Sequence, residues 1–452
     1  MSTTPTDVRD VISHGRMTGR QTTAVVVAIF LNVVDGFDIL VMAFTGASVS
    51  AEFGLGPGGL GLLLSAGLVG MAIGSVGLAP LADRVGRRPV TIASLSLITV
   101  LMAASALAPS ATALGVLRFL TGLGIGAMLP NLSTFVSEFC TARWREPAIT
   151  LNSLGYALGG TIGGLLAAPL IAAYGWRAAF WLGAAFGLTG LLLTLAFVPE
   201  SVHHLVVRRP ADALDRVNGV LRRIGRAPVD ALPPEETVAR ARLADMFRGD
   251  LGRTTVLIWV AFFCVMASFY FANSWTPQLL AGAGLSEQQG IYGGVLLSVG
   301  GVLGALVFAA VAVKVPAKLV EAGALLGGAV MFVVFSLALS QAVPALAAAT
   351  LVGFFTNAAI AGMYAVVATR YPSAIRGAGV GWAVGVGRLG AILAPTIAGW
   401  LLATGMGGRG LFVVFLVPMV VAAVAVLALG RPAAATATSD RATDPKQPSP
   451  AV

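Results

Sequence analysis

Charge is what this chain has least of. Only 11% of its 452 residues are Asp, Glu, Lys or Arg, against about a quarter in a soluble domain. With 57% hydrophobic residues and a mean hydropathy of +0.88, it carries more apolar side chain than a water-facing surface can hide. That argues against one large soluble enzyme, and it excludes disorder outside the two ends. Cysteines are scarce too: Cys140 and Cys264 stand far apart in apolar surroundings, so neither a disulfide framework nor a metal spacing exists. Three histidines, His14, His203 and His204, build no metal site with them. No nucleophile–base pair is visible, so neither an enzyme nor a cofactor is expected. The net charge of +9 raises nucleic acid as a partner, but the basic residues lie in short loops between apolar runs, which removes it. The polar start through Gln21 and the length of the first apolar run exclude a signal peptide.

What is there is a series of long apolar runs. A helix needs about 20 such residues to cross a bilayer core. Twelve spans meet that requirement: 24–50, 59–81, 90–109, 112–138, 147–172, 177–198, 254–280, 288–312, 318–340, 344–369, 376–402 and 410–430. Transmembrane strands would alternate over about ten residues, whereas Leu60 to Leu81 is nearly continuous. The expected fold is an all-α membrane protein.

Lys and Arg placement orients it. With the N-terminus inside, 25 of 29 basic residues fall in cytoplasmic segments and only Arg177 and Arg409 fall outside. Both ends are therefore expected in the cytoplasm, as a multi-pass protein of the inner membrane. The reading divides the chain into a cytoplasmic segment 1–23, a six-helix half 24–198, a cytoplasmic loop 199–253, a second six-helix half 254–430 and a disordered tail 431–452. Pro233-Pro234-Glu235-Glu236 marks the loop as surface. The halves look weakly repeated: Asp83-Arg84-Val85-Gly86-Arg87-Arg88 is echoed by Val313-Lys314-Val315-Pro316-Ala317-Lys318, and Arg143 and Arg145 by Arg376. Two repeated halves suit a transporter with its site between them near the midplane.

Ionisable groups at membrane depth are costly and therefore informative. Asp35 lies ~17 Å into the first span, and Asp38, three residues on, faces the same way. No cation accompanies them on that helix, so this pair suits proton uptake and release; the alternative is a pair of aspartates that holds helices together. Arg118 and Arg388 lie inside the fourth and eleventh spans and each needs an anion or carbonyl partner. Arg118 reads as an internal ion pair or part of a proton relay. Arg388 reads as a fork for a substrate carboxylate, or as another internal pair.

Asp83, Arg84, Arg87 and Arg88 form a charged turn at which Gly86 permits the bend; it reads as a gating salt-bridge lock, or as an ordinary positive-inside loop, with Asp83 capping the third span or binding across to another helix end. Glu138 is expected to pair with Arg84, Arg87, Arg143 or Arg145 as a latch. Asn32, Asn152, Tyr156, Phe269, Asn273, Asn357 and Tyr364 are amides and aromatics at depth, suited to stacking on an aromatic ring or simply to packing. Gly122, Gly124 and Gly126, then Gly155, Gly159, Gly160, Gly163 and Gly164, read as close helix packing that can slide. No strand precedes them and no Lys-Ser/Thr follows, so a phosphate loop is rejected.

The Asp83–Arg88 turn resembles the loop signature of the major facilitator superfamily, over roughly residues 20–430. Asp35-Gly36-Phe37-Asp38 resembles the Asp-Gly-aromatic-Asp motif of its aromatic acid:proton symporters. Pro199-Glu200-Ser201, Tyr371-Pro372 with Arg376-Gly377, and Gly379-Val380-Gly381-Trp382 leading to Gly387-Arg388-Leu389-Gly390 are similar to that family. The resemblance implies the major facilitator fold and uptake of a benzoate-, hydroxybenzoate- or gentisate-like acid with protons. It gives functional roles to Asp35, Asp38, Arg118, Glu138, Arg376 and Arg388, with protons, the acid and the bilayer as partners of a monomer. Ala79 departs from the Gly that usually opens the loop signature, and Val313 and Pro316 depart from it in the second copy. A proton-coupled exporter of the same fold is the alternative, although the fifth span has only a lone Pro169 where exporters carry a Gly-Pro-Gly-Gly pattern. A membrane sensor would need an output domain for which the loop and tail are too short.

Overall fold

A computed structural model describes residues 8–233, 246–249 and 251–430. The expected disordered tail, and Pro234, Glu235 and Glu236 of the loop, lie outside the described residues. Within them the regular structure is helical, and twelve helices are long and apolar enough to cross a membrane. These are α2 (Gly19–Phe53), α3 (Pro57–Gly77), α5 (Arg87–Ala106), α6 (Ala111–Phe139), α7 (Ala142–Tyr174) and α8 (Arg177–Phe197) in the first half. The second half has α11 (Leu251–Gly282), α12 (Glu287–Ala312), α13 (Ala317–Ala338), α14 (Ala342–Ala368), α15 (Ser373–Ala403) and α16 (Gly408–Ala428). Short helices α1 (Val8–Ser13), α4 (Leu81–Val85), α9 (Val202–Arg208) and α10 (Ala213–Arg223) lie between or before them.

Local chemistry sets the ends. Thr18 and Gln21 form a capping box that starts α2, and Ser286 and Gln289 form one that starts α12. Ser110 caps α6. Gly54 closes α2 in the left-handed conformation, φ 63°. At 35 residues, α2 is longer than a crossing requires, so it tilts or projects beyond the hydrocarbon.

The sequence echo between the halves becomes a repeated packing scheme. In the first half α3 packs on α6, α2 on α7 and α5 on α8. In the second half α12 packs on α14, α11 on α15 and α13 on α16, which are the same pairings by order. Between the halves α3 meets α15 and α7 meets α12. Glycine lets the first-half helices touch. A Cβ on Gly36 would overlap the Tyr156 carbonyl, one on Gly159 the Val33 carbonyl and one on Gly163 the Phe37 ring. Gly122 and Gly126 dock in the same way on α3, against Gly67 and Met71, while Gly124 faces Ile98 of α5.

Short connections make successive long helices antiparallel. Gly19 and Ala428 therefore share one side, the terminal face, while Phe53, Glu287 and Gly408 lie at the opposite face. Hydrogen bonds joining the halves run from the opposite face to about mid-depth. The Ser48 N–H donates to Glu287 Oε1 over 3.2 Å, Gln278 Nε2 to the Ala43 carbonyl over 2.9 Å, Thr396 Oγ1 to Ser65 Oγ over 2.8 Å and Ser65 Oγ to the Ile392 carbonyl over 2.8 Å. Toward the terminal face the halves part. On α15, Gly377, Gly381 and Gly385 share a face with Arg388, and a Cβ on any of them would meet no atom within 4 Å. The lipid-facing residues of that helix, Trp382, Leu389, Leu393 and Trp400, lie on a different side. Tyr364, on the neighbouring helix, is 42% exposed. The result is a cleft between the halves that is open at the terminal face and bridged by these hydrogen bonds on the side of the opposite face, where a separate cavity of about 560 Å³ lies between Leu55, Leu60, Gln278 and Leu279.

Candidate functional site

The midplane of α2 carries the acids. Asp35 and Asp38 are both buried, and none of their four carboxylate oxygens has a hydrogen-bond partner among the described residues. Their neighbours explain the seclusion. Gly36, between them, lies against the α7 backbone, so that helix presses on α2 between the two acids. The Asp38 carboxylate lies beside Gly183 of α8, where a Cβ would come within 3.3 Å of its Oδ1.

Arg118 on α6 reaches this region without pairing with an acid. Its Nη2 donates to the backbone carbonyl of Asp38 over 2.6 Å, its Nη1 lies 2.9 Å from Met102 Sδ, and its guanidinium stands 5.7 Å from the Phe180 ring centre. A carbonyl partner was one of the two options for an intramembrane arginine, but the expected side-chain ion pair is absent among the described residues. The Asp38 carboxylate is left free although a cation sits on its own carbonyl. Beside it, Asn32 Nδ2 donates to the Asn152 carbonyl over 2.6 Å and Asn152 Nδ2 to Ser133 Oγ over 3.3 Å, tying α2, α7 and α6 together.

A second cluster spans the two halves. Tyr156 of α7 packs against Phe269 of α11 with ring centres 5.8 Å apart, and Phe269 meets Tyr270 edge-on at 5.2 Å. Tyr364 meets Phe262 edge-on at 5.4 Å. Arg388, at the centre of α15, donates to the Met71 carbonyl over 3.4 Å and lies within electrostatic reach of Tyr270 and Tyr364. The Tyr156 hydroxyl is buried without a hydrogen-bond partner among the described residues. The structure thus brings Tyr156, Phe269, Tyr364 and Arg388 around one space. It adds Tyr270, which sequence reading left among its neighbours without a role, because helical spacing alone does not say which aromatics turn inward. Asn273 and Asn357 bond instead to carbonyls of their own helices, Phe269 and Gly353.

At the charged turn Glu138 meets one of its expected partners, while Asp83 neither caps α5 nor forms a lock among the described residues. Glu138 pairs with Arg87 and accepts from Ser201 Oγ at 2.6 Å. Arg84 and Arg143 stay exposed away from it. The cap on α5 comes from Glu200, whose Oε1 accepts the N–H groups of Arg87 and Arg88 at 2.9 and 3.1 Å. The Asp83 side chain makes no hydrogen bond or ion pair among the described residues; its carbonyl accepts from Arg208. Gly86, at φ 118°, turns the chain there, and Arg376 bonds to the carbonyl of nearby Tyr371. Sequence reading also passed over Glu321. It is fully buried on α13 with both oxygens unpartnered and its carboxylate against Gly362 of α14. No group of His, Cys, Asp and Glu able to hold a metal ion exists among the described residues.

Two repeated six-helix bundles around a one-sided cleft, with unpartnered acids at mid-depth, are the build of a multi-pass membrane carrier. The chain belongs to the Major Facilitator Superfamily, whose family model matches residues 26–349. It is 34% identical to the 4-hydroxybenzoate transporter PcaK of Pseudomonas putida, over 96% of this chain and 97% of that protein. It is 32% identical to a gallate transporter of Pseudomonas putida, over 94% of this chain and 95% of the relative. It is also 28% identical to a gentisate transporter of Corynebacterium glutamicum, over 88% and 85% of the two chains. Among solved structures, it is similar to the inward-open xylose transporter XylE of Escherichia coli, with a TM-score of 0.73 and 16% identity over 92% of this chain and 98% of that one. That likeness concerns the fold.

Proposed function

We propose that this protein imports an aromatic carboxylate of the hydroxybenzoate class together with protons, across an inner membrane, with both chain ends in the cytoplasm. The observation that carries the reading is the division of labour across the cleft. Unpartnered acids stand on one half, and an arginine within electrostatic reach of Tyr270 and Tyr364 stands on the other. The names of the relatives support the substrate class, and the distribution of arginine supports the orientation.

In this reading the described conformation is open to the cytoplasm. Arg388 offers two parallel N–H groups to the carboxylate, and the tyrosine and phenylalanine rings receive the aromatic face. Asp35 and Asp38 hold the protons. Neutral acids let the halves close over the midplane without burying uncompensated charge. A monovalent anion carried with more than one proton moves net positive charge inward, which the membrane potential favours by about 2.3 kcal/mol per charge per 100 mV.

The test is uptake of labelled benzoate, 4-hydroxybenzoate, gentisate and gallate into proteoliposomes under an imposed proton gradient. Accumulation of one of them that an uncoupler abolishes is expected. Uptake unaffected by the uncoupler would remove proton coupling. Outward movement of a dye against the gradient, with no acid accumulated, would replace import with export.

A further inference from the structure

At the terminal face, a cavity of about 830 Å³ lies between the start of α2, the end of α8 and the turn after α10. Arg20 and Arg223 line it, with the hydroxyls of Thr18 and Thr23 and the apolar atoms of Ala196 and Phe197; among the described residues no carboxylate lines it. Its shape follows from local structure. The Thr18 hydroxyl donates to the Ile224 carbonyl, at 2.5 Å, and thereby fixes the turn after α10 against the start of α2. Arg20 Nη1 reaches the Arg222 and Arg223 carbonyls at 3.4 and 3.3 Å, which holds its guanidinium at the cavity.

The neighbouring arginines are already engaged. Arg226 donates to Gln21 Oε1 and to the carbonyls of Ile12, His14 and Arg16. Arg88 donates to the Leu195 and Val198 carbonyls at the end of α8. Arg20 and Arg223 remain exposed, two like charges around one space with no acid between them. That arrangement favours an anion. The anion's nature follows from position. The cavity sits at the level where α2 begins and α8 ends, the headgroup layer of a bilayer. From Ala196, which lines it, Leu195, Leu192 and Leu188 continue along one side of α8 as outward-facing side chains, each 44–57% exposed.

We infer that this cavity holds the phosphate of an anionic phospholipid. Arg20 and Arg223 take the headgroup, and the acyl chains lie along the Leu188–Leu192–Leu195 stripe. A free phosphate would use the two arginines but would leave the adjoining apolar stripe without a role. The site lies outside the cleft and is independent of the transported substrate.

The experiment uses full-length protein, delipidated in detergent and titrated with phosphatidylglycerol or phosphatidylcholine of identical chains. Bound lipid is counted by native mass spectrometry. One phosphatidylglycerol is expected to bind at least about tenfold more tightly than phosphatidylcholine. Arg20→Gln with Arg223→Gln abolishes that preference. Arg222→Gln, which removes an exposed charge outside the cavity, leaves it intact. Ala196→Trp fills the space without altering charge and blocks binding, which separates the cavity from a general surface field. Equal binding of the two lipids by wild type would overturn the inference, as would an equal loss in Arg222→Gln or no loss in Ala196→Trp. Complete displacement of phosphatidylglycerol by millimolar inorganic phosphate would assign the site to the free ion instead.

Discussion

Ser48, near the end of α2, gives both its backbone N–H and its hydroxyl to the same carboxylate oxygen of Glu287, the first residue of α12. This joins the two halves at the opposite face, beside Gln278 and the Ala43 carbonyl. A carrier that alternates must break this contact once in each cycle. Cysteines at positions 48 and 287 should therefore cross-link under oxidation and stop uptake, with reductant restoring it. Full uptake after complete cross-linking would mean that this face does not separate.

The two midplane aspartates have no partner to lose. Asp35→Asn and Asp38→Asn keep shape and leave no ion pair broken, so both variants should fold with little change in melting temperature. Gradient-driven accumulation should fall by about tenfold or more, while exchange of labelled for unlabelled substrate persists. Loss of exchange together with accumulation would place these acids in substrate binding instead of proton coupling.

Arg388 is expected to act through its planar fork as well as its charge. Arg388→Gln should raise KM by roughly tenfold or more, and Arg388→Lys should recover only part of that, because an ammonium cannot make two parallel bonds to a carboxylate. An unchanged KM in both variants would assign Arg388 to its contact with the Met71 carbonyl alone.

Glu138 satisfies Arg87 and Ser201 together in a largely buried setting, its side chain only 14% exposed. Glu138→Ala leaves the Arg87 guanidinium without its anion and should cost about 3 kcal/mol. Glu138→Gln, which keeps an acceptor, should cost less. Thermal unfolding in detergent measures both, and equal effects would show that the lost charge accounts for the whole cost and the retained acceptor for none of it.

His204, on α9 at the terminal face, is held below its ordinary pKa of 6.5, chiefly by partial burial and further by Arg87 and Arg208, with Glu200 and Asp83 opposing. The unfolded chain then takes up this proton more readily than the folded one. The stability involved is complete above pH 6.5 and declines as pH falls below that value. His204→Gln should flatten that part of the melting-temperature profile relative to wild type. An identical slope in the two proteins would assign it to other groups.

Much of this was legible in the sequence because lipid imposes simple rules. A chain in hydrocarbon must satisfy its backbone internally, so apolar length translates into helices, and all twelve expected spans coincide with long helices. Cost does the same for the midplane acids: Asp35 and Asp38 stand out in the sequence and are buried in the fold. Partner choice was not legible. Four arginines were equally placed to meet Glu138, and Arg87 does so because the α5 start, capped by Glu200, directs it there. Glu321 was passed over, and Tyr270 was not singled out from the aromatics beside it, because facing on a helix that is apolar all round leaves no periodic signal.

The sequence by itself determined that the chain crosses a membrane twelve times, in two echoing halves, with acids and arginines retained at depth. Hydropathy, arginine placement and the cost of buried charge act residue by residue, and no fold is needed to apply them. Tertiary structure decided which groups meet. Arg118 takes a carbonyl and leaves Asp38 free, Arg388 stands among tyrosines drawn from two other helices, and the halves join at Ser48 and Glu287 while parting at Tyr364. Those meetings depend on the rotation and tilt of packed helices, which glycine contacts such as Gly36 on Tyr156 fix only once both helices are in place.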